Sequence, residues 1–160
     1  MKTIKTIFAT MVAVASMLSF TSCGSDDNDA PKAPAAKSIE GTYKGDMSCS
    51  VMGEASDYED MTFTVTAMSD ANVSITLPAF GEAPMALPSI TAEGLEVTET
   101  DGVYTIKQKE IKGTLSNGRE YTLIIAGSCQ NSALTLNYNL QYGKMPMPMI
   151  CSVTAAPKVK

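Results

Sequence analysis

From Gly113 to Val153 the chain reads GTLSNGREYTLIIAGSCQNSALTLNYNLQYGKMPMPMICSV. Ser116-Asn117-Gly118, Gln130-Asn131-Ser132 and Gly143-Lys144 cut it into strand-length pieces. Leu134, Leu136, Tyr138, Leu140 and Tyr142 fall on one side of such a piece, and Thr135, Asn137, Asn139 and Gln141 on the other. Period two with one apolar face is the signature of a strand that is dry on one side and wet on the other. Asn117-Gly118 predicts a tight hairpin of type I′, because both residues tolerate positive φ. The stretch is an antiparallel meander, and this constrains everything before it.

The upstream sequence has the same grammar. Gly41 to Val51 reads as a first strand, with Gly45, Met47, Cys49 and Val51 on one side. Met52 to Glu59 is polar and contains glycine, which reads as a loop. Asp60 to Met68 alternates, placing Met61, Phe63, Val65 and Ala67 inward and three threonines outward. Ser69 to Asn72 turns the chain into a third strand carrying Val73, Ile75 and Leu77, which Pro78 ends. Ala79 to Pro88 is irregular, with Met85 and Leu87 expected to pack back. A broken fourth strand covers Ser89 to Thr98, and Asp101-Gly102 turns into a fifth, Val103 to Leu115. The polar run Lys107-Gln108-Lys109-Glu110 in its middle predicts a bulge or a flared end. Apolar residues nowhere keep helical spacing over three turns. Eight antiparallel strands in sequence order leave two open edges if flat, and closure removes them. The expectation is an all-β domain over residues 39–156, an eight-stranded antiparallel up-and-down β-barrel. A two-sheet sandwich is the alternative.

The first 22 residues read as an address. Lys2 and Lys5 form a basic start, Ile7 to Phe20 an apolar run too short to span a bilayer comfortably, and Ser19-Phe20-Thr21-Ser22 lead into Cys23. Small residues before a cysteine resemble a bacterial lipobox. That resemblance implies cleavage before Cys23 and lipidation of its thiol, palmitate being the expected acyl chain. An ordinary signal peptide ending near a cysteine is the alternative. The acidic cluster Ser25-Asp26-Asp27-Asn28-Asp29 resembles the export signal of Bacteroidetes surface lipoproteins, or is simply a solvated linker. Residues 23–38 with their prolines read as a tether reaching about 50 Å when extended. A lipid-anchored outer-membrane protein, facing the periplasm or the cell surface, is the expected address, with the membrane as a partner through the lipid alone.

Several function classes drop out. Removing Lys2 and Lys5 leaves ten basic against seventeen acidic side chains, which opposes binding to nucleic acid or an anionic bilayer surface. The chain has no histidine, so no Ser-His-Asp or Cys-His catalytic set exists. No CxxC spacing offers a zinc site, and no glycine-rich loop runs from strand to helix. The carboxylate pairs Glu59/Asp60 and Glu96/Glu99 read as solvated charge rather than as a hydrolytic pair. No enzyme activity, cofactor or metal is expected.

Beyond Cys23, three cysteines remain. If the barrel closes, the first and last strands are neighbours, and Cys49 and Cys151 both point inward on them. Adjacent strands lie about 4.8 Å apart, within disulfide reach. Cys49–Cys151 is the expected staple, and Cys129 is left over. The alternative is three reduced thiols packed as small apolar groups. Methionine is abundant and concentrates in Met145-Pro146-Met147-Pro148-Met149. Met47, Met61, Met147, Met149 and Tyr138 are expected to line a cavity for a small apolar ligand, or else to fill the core. Pro146 and Pro148 cannot donate ladder hydrogen bonds, so that end of the last strand should be irregular and form the mouth.

The opening Gly41-Thr42-Tyr43-Lys44-Gly45, the loop near Ala79 to Pro88, the strand start Gly102-Val103-Tyr104-Thr105 and the late Leu134-Thr135-Leu136, together with the lipobox, resemble the calycin-like (lipocalin-like) lipoproteins of Bacteroidetes over roughly residues 39 to 155. The resemblance implies an eight-stranded barrel and transfers no catalytic or binding residue. The Gly-x-Trp hallmark of lipocalins is absent, since the chain has no tryptophan. Two functions follow as expectations. One is a lipid-anchored envelope barrel that binds a small apolar ligand without catalysis. The other is a structural or interaction lipoprotein with a solid barrel.

Overall fold

Each strand carries one apolar face, and a flat sheet of such strands would leave that face wet and two edges unpaired. The computed structural model, which describes residues 32–83 and 86–158, meets both demands by closing the sheet on itself. A single helical turn, α1 (Ala35–Ser38), precedes β1 (Gly41–Val51), β2 (Glu54–Ala67), β3 (Asn72–Leu77), β4 (Ile90–Thr100), β5 (Val103–Thr114), β6 (Glu120–Gln130), β7 (Ala133–Tyr142) and β8 (Met149–Pro157). Each strand pairs antiparallel with the next, and β8 returns to pair with β1. The domain is an all-β, eight-stranded up-and-down barrel.

Period two decides what lies inside. Leu134, Leu136, Tyr138, Leu140 and Tyr142 are all buried, as are Phe63 and Val65 of β2 and Val73, Ile75 and Leu77 of β3. Their neighbours Thr135, Asn137, Asn139, Thr62 and Thr64 lie on the other face. No polar or charged residue among those described is buried. A barrel that spans a bilayer turns its apolar side chains outward; this one turns them inward.

Three tight turns, Met52-Gly53, Asp101-Gly102 and Asn131-Ser132, place both residues at positive φ, as a type I′ hairpin requires. Asn117-Gly118 does not form one. There Gly118 alone has positive φ, its N–H bonds to the Leu115 carbonyl at 2.8 Å, and Leu115 N–H bonds to the Arg119 carbonyl at 2.9 Å. The result is a longer loop with glycine at the left-handed position. It frees the Asn117 side chain, which accepts from Arg119 N–H at 3.1 Å and donates to the Tyr142 hydroxyl at 2.6 Å.

Two further segments differ from the sequence reading. Residues 54–59, read as loop, belong to β2, because the Met52-Gly53 turn returns the chain at once and Glu54 to Tyr58 pair with Val51 to Met47. These residues are largely exposed, so no apolar alternation announces them. Residues 33–38, read as tether, close the lower end of the barrel. Ala36 and Ile39 are fully buried, Ala36 N–H bonds to the Asp70 carbonyl at 3.1 Å, and α1 packs on β2 and β4. The signal segment, Cys23, the acidic cluster and Met85 lie outside the described residues.

Bulges give the cylinder its curvature. The register shifts by one residue at Asp60 in β2, at Gly94 in β4 and across Lys107-Gln108 in β5. Asp60 and Gly94 take the positive φ that such bulges need. The ladder between β4 and β5 holds only from Val97↔Ile106 to Thr100↔Val103. Above it the strands part, and lysines span the gap. Lys109 donates to the carbonyls of Glu93 and Gly94, each at 3.0 Å, and Lys107 pairs with Glu96.

The closing seam is tight. Gly45 stands opposite Ala155, and a Cβ there would lie 2.1 Å from the Thr154 carbonyl oxygen. On the same ladder Cys49 faces Cys151 with Cα atoms 4.1 Å apart, and a disulfide joins them. Gly45→Ala is expected to lower stability by about 1–3 kcal/mol through overpacking against backbone, read as an earlier urea midpoint. Replacing both Cys49 and Cys151 by alanine, in a Cys129→Ser background, is expected to cost roughly 3–5 kcal/mol, because the disulfide closes a loop with a sequence separation of 102. A variant with an unchanged midpoint in either case would contradict the closing role of this seam.

Candidate binding site

The middle of the barrel is occupied. Tyr138 reaches across it and donates its hydroxyl proton to the Met47 sulfur at 2.8 Å. Phe63, Ile75, Leu95, Ile106, Leu123, Ile125, Leu136 and Leu140 fill the surrounding space with under 2 % exposure. Space is found at the ends instead.

In an up-and-down barrel the turn at 52–53, the loops 78–89 and 143–148 and the hairpin 115–119 share the upper end. The described parts of the loop between β3 and β4, residues 78–83 and 86–89, fold over it. Phe80 and Leu87 exchange backbone hydrogen bonds at 3.1 and 2.8 Å, and the Ser89 hydroxyl donates to the Leu77 carbonyl at 2.7 Å to fix the loop's base. The Phe80 ring meets the Tyr58 ring edge-on, centroids 5.3 Å apart. Tyr58 stands there because β2 begins earlier than its composition suggests. Beneath this flap lies a cavity of about 290 Å³. Its apolar walls are Val51, Tyr58, Phe80, Leu87, Met145 and Met149; Gly81, Glu82, Arg119 and Tyr142 complete it. Arg119 lies over the Tyr142 ring, 5.5 Å from its centroid. A shallower groove of about 700 Å³ runs alongside, between the hairpin 115–119 and the loop 143–148, and shares Arg119, Tyr142 and Met145. Of the two, the recess beneath the flap is the more enclosed, and apolar walls of that kind remove more of an occupant's surface from water.

Of the expected lining residues, only Met149 reaches this cavity. Met47 and Tyr138 are core, joined by their hydrogen bond. Met61 is half-buried against the core, and Met147 is 49 % exposed on the upper loop. The extrapolated alternation fails at Met147 because β8 starts only at Met149, so no ladder holds Met147 to an inward direction. Tyr58, Phe80 and Arg119 were not foreseen. Arg119 carried the available signal, being the chain's single arginine and following an Asn-Gly turn.

The lower end is more polar. A cavity of about 480 Å³ there includes Glu40, Tyr43, Asn131 and Cys129. The Tyr43 hydroxyl donates to the Ile39 carbonyl at 2.8 Å and lies 3.8 Å from the Cys129 sulfur. Burial pushes the Tyr43 phenol up, with the neighbouring Cys129 thiol adding to the shift. Burial likewise raises the Cys129 thiol, against the opposing effect of its hydrogen bond with Tyr43. Among the described residues no group of three or more His, Cys, Asp or Glu side chains could hold a metal ion, and no helix is long and apolar enough to cross a membrane.

The family model of the calycin-like beta-barrel domain matches residues 39–154. A solved structure of a candidate outer membrane protein from Bacteroides fragilis superposes with a TM-score of 0.69 at 24% sequence identity. The match covers 78% of this chain and 53% of that one, so this chain spans about half of its neighbour's length. Comparison with curated proteins yields no match.

Burial also raises the Tyr138 phenol well above its usual range. In the unfolded chain tyrosine ionises near pH 10, whereas the folded barrel holds Tyr138 and Tyr43 protonated beyond that. Their contribution is therefore intact below pH ~10 and is lost as pH rises above it, by up to about 1.4 kcal/mol per pH unit for Tyr138 and by less for the more solvent-screened Tyr43. Base-induced unfolding is expected to begin above pH ~10, and Tyr138→Phe is expected to flatten the slope. A pH-independent unfolding midpoint between pH ~9 and ~12 would contradict this.

Proposed function

Since the chain belongs to the calycin-like beta-barrel domain family, we propose that it is a non-catalytic barrel of the outer membrane, tethered by lipid on Cys23, which takes up a small apolar ligand at its upper mouth. The observation that carries the reading is the cavity under the Phe80–Leu87 flap, a partly enclosed recess whose walls are mostly apolar side chains. The address is supported by the lipobox-like residues before Cys23 and by the similarity in fold to the Bacteroides fragilis protein. A buried disulfide suits an oxidising compartment outside the cytoplasm. The lack of histidine removes the commonest general base, and the described carboxylates lie at the surface.

The ligand sits at the mouth rather than in the barrel, because Tyr138 and Met47 occupy the axis. This packing also supports the second reading, a solid barrel that serves as a surface interaction or structural lipoprotein. Titration with the neutral dye N-phenyl-1-naphthylamine separates the two. The mouth reading expects saturable fluorescence enhancement, and Phe80→Ala is expected to weaken it about five- to tenfold, as loss of a buried aromatic wall should. Fluorescence that rises without saturating in the unsubstituted protein would leave the solid-barrel reading standing.

A further inference from the structure

The mouth has one strong charge feature, and it runs against the character of the chain. The protein is acidic, with seventeen carboxylates against twelve basic residues, and only one of those basic residues is arginine. That arginine, Arg119, borders both the apolar cavity and the groove beside it. Its position is built in. Arg119 N–H donates to Asn117 Oδ1, Asn117 Nδ2 donates to the Tyr142 hydroxyl, and the guanidinium lies over the Tyr142 ring. Ion pairs among the described residues include Lys44–Asp60, Lys107–Glu96 and Lys112–Glu110. Arg119 takes part in none of them. Its planar fork suits a carboxylate, which accepts two parallel hydrogen bonds from it.

Resting on the reading of the mouth as an apolar binding site, we propose that the ligand is an amphipathic carboxylate. Its apolar chain lies among Phe80, Leu87, Met145 and Met149, and its head group lies at the rim against Arg119. Lys144, in the adjoining groove, adds positive charge on the same side. Glu82 lines the cavity and Glu120 lines the groove. Both oppose an anion; Glu82 disfavours the flap side, so the head group sits on the Arg119–Tyr142 side, where Arg119 and Lys144 together outweigh Glu120. The head stays in water while the chain leaves it, which is the cheapest way for an exposed cation to select a ligand without desolvating a charge.

The test compares dodecanoate, below its micelle concentration, with dodecanol, below its solubility limit, by displacement of bound N-phenyl-1-naphthylamine. The two probes share a chain and differ in charge. Dodecanoate is expected to bind about tenfold tighter at low salt, and to lose most of that advantage in molar salt. Arg119→Gln is expected to remove the advantage and leave dodecanol unchanged. Arg119→Lys should restore part of it, and Glu82→Gln should strengthen dodecanoate alone. Unchanged melting curves exclude a folding defect in these exposed positions. Equal displacement by both probes, or an advantage that survives Arg119→Gln, would overturn the carboxylate assignment and leave the mouth reading intact. Failure of both probes and of the dye would overturn the mouth reading with it.

Discussion

The pairing of β8 with β1 is the constraint on which the rest depends. Until it forms, the sheet has two raw edges and an apolar face open to water. Once it forms, the face becomes an interior and the edges disappear. The seam is reinforced in two ways that act at different points along it. Gly45 lets the backbone of β1 approach Ala155 to a distance no side chain would tolerate. Cys49 and Cys151, paired in register, fix the same ladder covalently. A closed ring of this strand number leaves an interior just wide enough for its own side chains, and here Tyr138, Met47 and Phe63 take that space.

A filled cylinder leaves its cavities at its ends. The lower end is closed by α1 and Ile39, tied by Ala36 to the turn after β2. The upper end has no such plug, only the flap of Phe80 and Leu87 and the two loops beside it. Every wall of the mouth cavity belongs to a turn or a strand end on this side. The parted upper halves of β4 and β5 lie on this side too, held by Lys109 and Lys107 instead of by a ladder. The closing seam and the lysine-bridged seam lie on different sides of the ring.

The sequence disclosed the fold wherever burial imposes period two. The inward row of β7 and those of β2 and β3 could be read directly, because alternation is what a half-buried strand requires. The bulge in β5 was legible from four consecutive polar residues. Glu54 to Tyr58 was not, since a strand exposed on both faces has no apolar signature and its pairing is decided by the turn. At Asn117-Gly118 the chain takes a longer loop in which Asn117 reaches Tyr142, a long-range contact that local propensity cannot contain. Met147 misled for the opposite reason: a local alternation continued past the point where any neighbour enforced it. The mouth was the least legible part, because Tyr58, Phe80, Arg119 and Met149 come from four separate segments and meet only once the ring is shut.

The central claim is that the barrel axis is solid and that any ligand is held at the upper rim. Isotope-labelled methionine methyl resonances report on both places at once, since Met145 and Met149 line the mouth while Met47 lies on the axis. On adding N-phenyl-1-naphthylamine, the account predicts shifts for the Met145 and Met149 methyls with the Met47 methyl unmoved. A shift at Met47 equal to or larger than those at the rim would place the ligand inside the cylinder and contradict it.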